Sequence, residues 1–414
     1  MCFAIDFTAK KFTLCEISNV LREIRETILN IVSKGYGVKL QHRGCYIYSK
    51  SNSKMKRFFP ILFLLIPITL TGCQSHTSID SYMQELVSEG SFNGNILVVK
   101  NGETLYENSF GFVDASQTAP LTKDYRFGLG SIYKEFPAVA IMQLQEKGLL
   151  NVDDKIDNYL IDLPAWASQV SIKNLLQYTS GLPKISWEKY IGKDEVITDK
   201  KIENDLLNIE ELNFEPGEDY LYTNYSPMLL SVIVEKITKQ TFRDYVTQNL
   251  FIPFSINNTE FHTIVPFLDR NLMAIPFDQA YVEDSTKLEI ANGSYAQDSS
   301  KVSISGALFY FTAQDLYQWI DSLHTYKIIN PESFKFLSEN ADFFGNIQAP
   351  LGFINWENNK IVEHGHHGEN GNYEAIVRRY YKGNEVLTII VQSNQKRQNM
   401  FEISDEINSI LKFN

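Results

Sequence analysis

The chain has 414 residues, 44% of them hydrophobic and 21% charged, with a formal net charge of −12. That length can bury a substantial core, and the apolar content excludes a disordered chain. The acidic balance lacks the concentrated positive charge that nucleic-acid binding needs, so no nucleic-acid partner is expected.

The first 54 residues differ from the rest, with nine Lys/Arg against four Asp/Glu. Next come Met55-Lys56-Arg57, an apolar run over residues 58–70, and Leu70-Thr71-Gly72-Cys73. A short basic start, an apolar run too short to span a bilayer and a small-residue cleavage site predict a secretory signal over residues 55–72. The bland alternative is a buried helix ending at Gly72. The end of the segment resembles a bacterial lipobox, which implies that Cys73 is lipidated and becomes the first mature residue. Met55 is therefore the expected start and residues 1–54 a mis-assigned upstream extension. The alternative is a genuine extension with an amphipathic stretch through Val20, Leu21, Ile24, Ile28 and Ile31. The expected location is the bacterial cell envelope, held to the bilayer through acylated Cys73 and facing the periplasm or exterior. Gln74 favours the outer membrane in a Gram-negative host. Cys2, Cys15 and Cys45 lie upstream, so residues 74–414 hold no cysteine. A disulfide, a thiolate metal site and a cysteine nucleophile are excluded there.

Residues 73–92 are expected to form a tether and a first helix, with Ser78 as N-cap and Ile79, Tyr82, Met83, Leu86 and Val87 on one face. The main domain then spans residues 93–414. Its opening runs, residues 95–100 and 104–108, flank Asn101-Gly102, a hairpin turn in which both residues accept positive φ. Apolar residues recur at helical spacing at Phe136, Val139, Ala140, Met142 and Leu144, and again at Leu229, Leu230, Ile233, Val234 and Ile237. Residues 184–213 are charged and poorly periodic, which predicts a loop or short helices. Thr312-x-x-Asp315 predicts a capping box. Strands follow at residues 373–381 and 385–392 about Lys382-Gly383-Asn384, with a last helix near residues 401–411. Strands at both ends with helices between predict an α+β fold. One antiparallel sheet is built from N- and C-terminal strands and flanked by helices, with an inserted, mostly helical region at about residues 150–300.

Ser131-Ile-Tyr-Lys134 follows Phe127-Gly-Leu-Gly130 and runs into an apolar helix. Three residues apart on a helix, Ser131 and Lys134 project from one face, so the amine can reach the hydroxyl. A serine is a weak nucleophile until a base takes its proton, and a desolvated lysine can do so. The spacing alone is weak, because it also begins at Ser51, Ser53, Ser186, Ser393 and Ser409. Order raises Ser131: Leu175-Leu-Gln-Tyr-Thr-Ser-Gly-Leu-Pro183, Tyr222-Thr-Asn224 and Gly365-His366-His367-Gly368 follow in turn.

This series resembles the serine β-lactamase and penicillin-binding-protein family, in its branch of class C β-lactamases, D-alanyl-D-alanine carboxypeptidases and esterases. The resemblance runs over about residues 93–394. It implies that Ser131 attacks a carbonyl to form an acyl-enzyme, with Lys134 and Tyr222 sharing the proton work. It further implies that Asn224 bonds a substrate amide, and that His366 orients Tyr222 or meets a substrate carboxylate, with Gly368 beside it. The backbone N–H groups of Ser131 and Glu369 would form an oxyanion hole. No cofactor is implied. The substrate class is a small molecule or a peptidoglycan peptide, as amide, ester or β-lactam. Three departures stand out: Tyr178 replaces a common histidine, Asn372 a common glycine, and His366 a common lysine. The last favours a peptidase or esterase over a β-lactamase. Pro137 is expected in the second turn of the serine helix, where it would break a hydrogen bond.

A zinc hydrolase needs three protein ligands, and neither a cysteine nor His-Glu-x-x-His is present in the body, so no metal is expected. No Gly-x-Ser-x-Gly elbow supports an α/β-hydrolase. The rival from another class is a catalytically inactive, lipid-anchored envelope binding protein that keeps the fold.

Overall fold

In a computed structural model, placement is described for residues 76–186, 189, 199–261, 271–276, 309–343, 350–370, 373–395 and 399–413. The expected signal segment, Cys73 and Asn372 lie outside these residues. In chain order the elements are α1 (Ile79–Ser88), β1 (Gly94–Lys100), β2 (Glu103–Phe110), β3 (Phe127–Gly128) and α2 (Glu135–Glu146). Next come α3 (Ile172–Leu176), α4 (Asp199–Leu207), α5 (Tyr225–Thr238), α6 (Phe242–Val246), β4 (Glu260–Phe261) and β5 (Phe309–Phe311). The last are α7 (Ala313–His324), α8 (Pro331–Ser338), β6 (Phe353–Glu357), β7 (Lys360–Asn370), β8 (Tyr373–Lys382), β9 (Glu385–Ser393) and α9 (Met400–Leu411).

The main sheet has the order β2-β1-β9-β8-β7-β6, antiparallel throughout. Its first strand pairs with its last, Gly94 opposite Ser393 and Lys100 opposite Leu387. This is the α+β architecture expected from strands at both chain ends. The hairpin turn forms as its residues dictate, with Asn101 at φ 54° and Gly102 at φ 85°. Lys382 continues β8 and pairs with Glu385, so the second hairpin turn is one residue tighter than expected.

The central strands are buried on both faces. Leu97, Val99, Val377 and Ile390 face the large core with α2, α5 and α7. Ile96, Val98, Ile376, Ile389 and Val391 face α1 and α9, against Met83, Ile403 and Ile407. Burial on two faces explains why residues 96–99 read as a continuous apolar run rather than an alternating one. Ser78 caps α1 by accepting from Ser81 N at 3.1 Å.

Two local expectations need correction. The serine segment is not α-helical at first: Gly130–Lys134 is a 3₁₀ turn, and α2 begins at Glu135. Pro137 therefore lies in the first turn of α2, where its missing N–H has no intrahelical partner to lose. Thr312 does cap α7, accepting from Asp315 N at 3.1 Å. The reciprocal half of the capping box is absent, because the Asp315 carboxylate accepts from Asn258 N at 2.5 Å instead.

Candidate active site

The serine turn is held from behind by aromatic packing. Leu129 N donates to Phe309 O at 2.9 Å, Tyr133 stacks on Phe309, and Phe136 packs between Phe311 and Trp319. In a 3₁₀ turn residues three apart eclipse, so Lys134 stands directly over Ser131. Its Nζ donates to Ser131 Oγ at 2.9 Å. Lys134 is only 4% exposed, and burial pulls its amine down from 10.5 to about 7. Besides Ser131 Oγ, two ring faces support the charged form, with Nζ 4.9 Å from the Tyr133 centroid and 5.0 Å from that of Tyr222.

Tyr222 reaches this point because its loop is tied to residues 178–183. Leu221 N donates to Tyr178 O at 2.9 Å, and Thr223 Oγ1 to Pro183 O at 2.7 Å. Burial raises the pKa of the half-buried phenol, and its nearness to the Ser131 hydroxyl opposes the rise. Tyr178, the residue in place of the histidine, is buried with φ 56° and lays its ring 4.8 Å from that of Tyr222. Its part is to wall in the phenol. Asn224 caps the start of α5 and keeps a buried side-chain oxygen with no protein partner.

The third wall is β7. A Cβ at Gly368 would collide with the Leu129 carbonyl and come 2.7 Å from Ser131 N. A Cβ at Gly130, whose φ is +51°, would run into Glu369 N. Only glycines let these backbones close, and their closeness brings the Glu369 amide beside the Ser131 amide. The Glu369 side chain is exposed. Ser131, Lys134, Tyr222, Gly368 and Glu369 thus share one crevice, the first of them half-buried.

His366 lies on the same face of β7 as Gly368 and is 4% exposed. The partner of its Nδ1 is Glu135 Oε1, at 2.6 Å. Among the described residues no hydrogen bond joins His366 to Tyr222, one of its two implied roles, and Glu135 is its partner instead. His367 points to the other face, against Phe401 of α9. Sequence reading missed Glu135. Its one signal was a carboxylate heading the otherwise apolar run from Phe136 to Leu144. Among the described residues no group of three or more His, Cys, Asp and Glu could hold a metal ion.

The family model described as Beta-lactamase matches residues 79–412. The chain belongs to the beta-lactamase family. Within it, the chain is 32% identical over 188 residues to penicillin-binding protein 4* of Bacillus subtilis, covering 44% of this chain and 40% of that protein. It is 27% identical over 195 residues to protein flp of Staphylococcus aureus, covering 45% and 38%. The match spans less than half the length of these curated relatives. In fold, the chain is similar to D-amino acid amidase from Ochrobactrum anthropi SV3 complexed with L-phenylalanine amide. That match has a TM-score of 0.65 at 21% identity and covers 81% of this chain and 98% of that one. FmtA from Staphylococcus aureus gives a TM-score of 0.61 at 21% identity, with 81% and 88% covered. A penicillin binding protein from Bacillus halodurans gives 0.62 at 20%, with 80% and 99% covered. With these structures the chain shares its fold, an antiparallel sheet with flanking helices.

Proposed function

We propose that this beta-lactamase-family protein is a serine hydrolase that works through an acyl-enzyme at Ser131, as a cell-envelope peptidase or esterase. The observation that carries the reading is the 2.9 Å contact of Lys134 Nζ with Ser131 Oγ in a crevice that buries the amine. When Lys134 has lost its proton, its lone pair accepts the Ser131 hydroxyl proton as Oγ attacks the substrate carbonyl carbon. Lys134 contacts the hydroxyl and the Tyr222 ring lies 5.0 Å from the same amine, which supports one shared proton path. The negative oxygen that develops is met by the Ser131 and Glu369 N–H groups, an arrangement worth about 3 kcal/mol per donor in comparable sites. The carbon–nitrogen or carbon–oxygen bond then breaks, and the leaving group departs with the proton. Water attacks the resulting ester, its proton returns along the same path, and Ser131 is released.

The buried, unpaired oxygen of Asn224 supports a substrate N–H donor at that point, such as a peptide amide. His366 in place of lysine favours a peptide amide or an ester over a β-lactam. The amidase among the similar folds accords with amide chemistry. The lipobox-like segment ending at Cys73 supports attachment to the bilayer by an acylated cysteine, with the site facing the periplasm or exterior.

The test is covalent labelling by a fluorophosphonate or a fluorescent penicillin, followed by turnover of D-Ala-D-Ala peptide, ester and cephalosporin substrates. Labelling of the wild type and none of Ser131→Ala is the expected outcome. No labelling of the wild type by either probe, with binding to peptidoglycan fragments retained, would establish the binding-protein alternative.

A further inference from the structure

Glu135 follows Lys134 directly and is fully buried, yet no step of the acylation above uses it. A carboxylate in an apolar interior is costly unless its oxygens are bonded. Both are: Trp319 Nε1 donates to Oε2 at 2.6 Å, and His366 Nδ1 lies 2.6 Å from Oε1. An indole N–H can only donate, so Glu135 is the acceptor there.

The direction of their bonds sets the other two buried histidines apart. Leu351 O can only accept, so His364 Nε2, 2.7 Å away, carries a proton. Burial holds both His364 and His324 in the neutral form. His364 Nδ1 is then an acceptor, and it takes the proton of His324 Nε2 at 2.7 Å. His324 Nδ1 in turn accepts from Tyr381 Oη at 2.8 Å, and Tyr381 accepts from Arg379 Nε at 2.9 Å. The chain runs one way and is complete. His364 Nε2 stays 3.8 Å from Glu135, beyond hydrogen-bond reach. Of the two histidines on β7 near it, His366 is the one that bonds the carboxylate.

His366 and Gly368 lie two residues apart on β7, so they share a face about 7 Å apart along the strand. The missing side chain of Gly368 aims at Ser131 N, so the imidazole stands on the nucleophile's side of the sheet. Its Nδ1 is committed to Glu135, while Nε2 has no partner among the described residues.

We infer that Glu135 is a positioning residue: by accepting from Nδ1 it fixes the ring and proton of His366, so that Nε2 is the nitrogen offered to substrate. A carboxylate that orients an imidazole in this way selects its tautomer. The kinetic part of the inference rests on Ser131 being the nucleophile, whereas the position of the proton does not.

The test is ¹⁵N NMR of the full-length protein labelled at histidine, with His366 assigned by the signal lost in His366→Asn. The wild type should show a protonated Nδ1. Glu135→Gln should move the proton to Nε2, whereas Trp319→Phe should lower thermal stability and leave the tautomer as it is. Fluorophosphonate labelling of Ser131 should slow about tenfold in Glu135→Gln, the scale of one charge-assisted hydrogen bond. That slowing should disappear in a His366→Asn background. An unprotonated Nδ1 in the wild type, an unchanged ring in Glu135→Gln, or additive effects of the two substitutions would overturn the inference. If Glu135→Gln does not fold, the wild-type spectrum decides alone. A wild type that Ser131 probes do not label, yet whose Nδ1 is protonated, would sink the hydrolase reading and keep the Glu135–His366 pairing.

Discussion

Lys134 stands one 3₁₀ turn beyond Ser131 with its amine 2.9 Å from the hydroxyl and about 5 Å from the phenol rings of Tyr133 and Tyr222. A cation so placed has lost its water and gained no carboxylate of its own, which is why its pKa falls to about 7.

Removing the amine should stop acylation. Lys134→Ala is expected to slow covalent labelling by about 10²–10⁴-fold, the usual worth of a positioned general base. Lys134→Arg should be no better, since a guanidinium does not release its proton. Tyr222→Phe should slow labelling as well, and the double variant should be little worse than the slower single one, because the two serve one path. Effects that multiply would place them on separate paths.

The pH profile follows from the same amine. Acylation should rise as pH increases through about 7 and then level off. Stability carries the matching signature. The unfolded lysine binds a proton up to about 10.5 and the folded one only to about 7, so the unfolded chain holds more protons in that window. The penalty is therefore full below pH 7 and fades as pH rises toward 10.5. Lys134→Met should be more stable than wild type at pH 7 by a few kcal/mol, on the order of 4, with the gap closing at high pH. Denaturant unfolding across pH 7–10 checks this, and parallel pH curves for the two proteins would contradict it.

Acid should act through His324 and His364. Burial pulls His364 down to about 4 and His324 well below its usual value, so the unfolded chain takes up protons that the folded one refuses. Their contribution is intact above about pH 6.5 and is lost as pH falls toward 4. Arg379 and Glu135 face the same cluster, so the comparison must be made within it. His364→Gln is expected to be less stable at pH 7 and to lose less between pH 7 and 5 than wild type. Equal losses in thermal scans at the two pH values would show that the pair does not set acid sensitivity.

Gly368→Ala should separate the site from the scaffold. Its new methyl meets the Leu129 carbonyl and the Ser131 amide, so labelling should fall sharply, and overpacking should destabilise by about 1–3 kcal/mol. Gly383→Ala meets open space at φ +61°, so it should cost about 1–2 kcal/mol of stability and leave the labelling rate unchanged. Similar labelling rates for the two variants would remove the role of the β7 closure.

The proposed lipid attachment at Cys73 has its own test. Cys73→Ser should abolish incorporation of labelled palmitate and release the protein from the membrane fraction. Palmitate retained in that variant would rule out the lipobox reading.

Much of this was legible in the residues because local chemistry and fold agree. Asn101-Gly102 forms its turn, Ser78 its cap, and the apolar run at residues 96–99 a strand buried on both sides. Ser131, Lys134 and Tyr222 were readable as a set because their order along the chain is distinctive, although no single spacing is. What was not legible depends on the third dimension. Whether the serine segment starts as a 3₁₀ turn depends on Leu129 and Phe309 binding it from behind. The carboxyl group of Asp315 left its box because Asn258, 57 residues away, offers an N–H. Glu135 meets His366 across 231 residues of sequence, a distance no periodicity spans.

The pairing of β1 with β9 has a consequence for how the molecule comes into being. Nearly three hundred residues separate the two partners, so the centre of the sheet cannot close until β9 has been synthesised. The crevice is subject to the same delay, since the amide of Glu369 comes from a strand made long after Ser131. A ribosome-bound nascent chain should therefore carry the serine in silence, and a nonsense mutation anywhere before β9 should leave no partial activity behind.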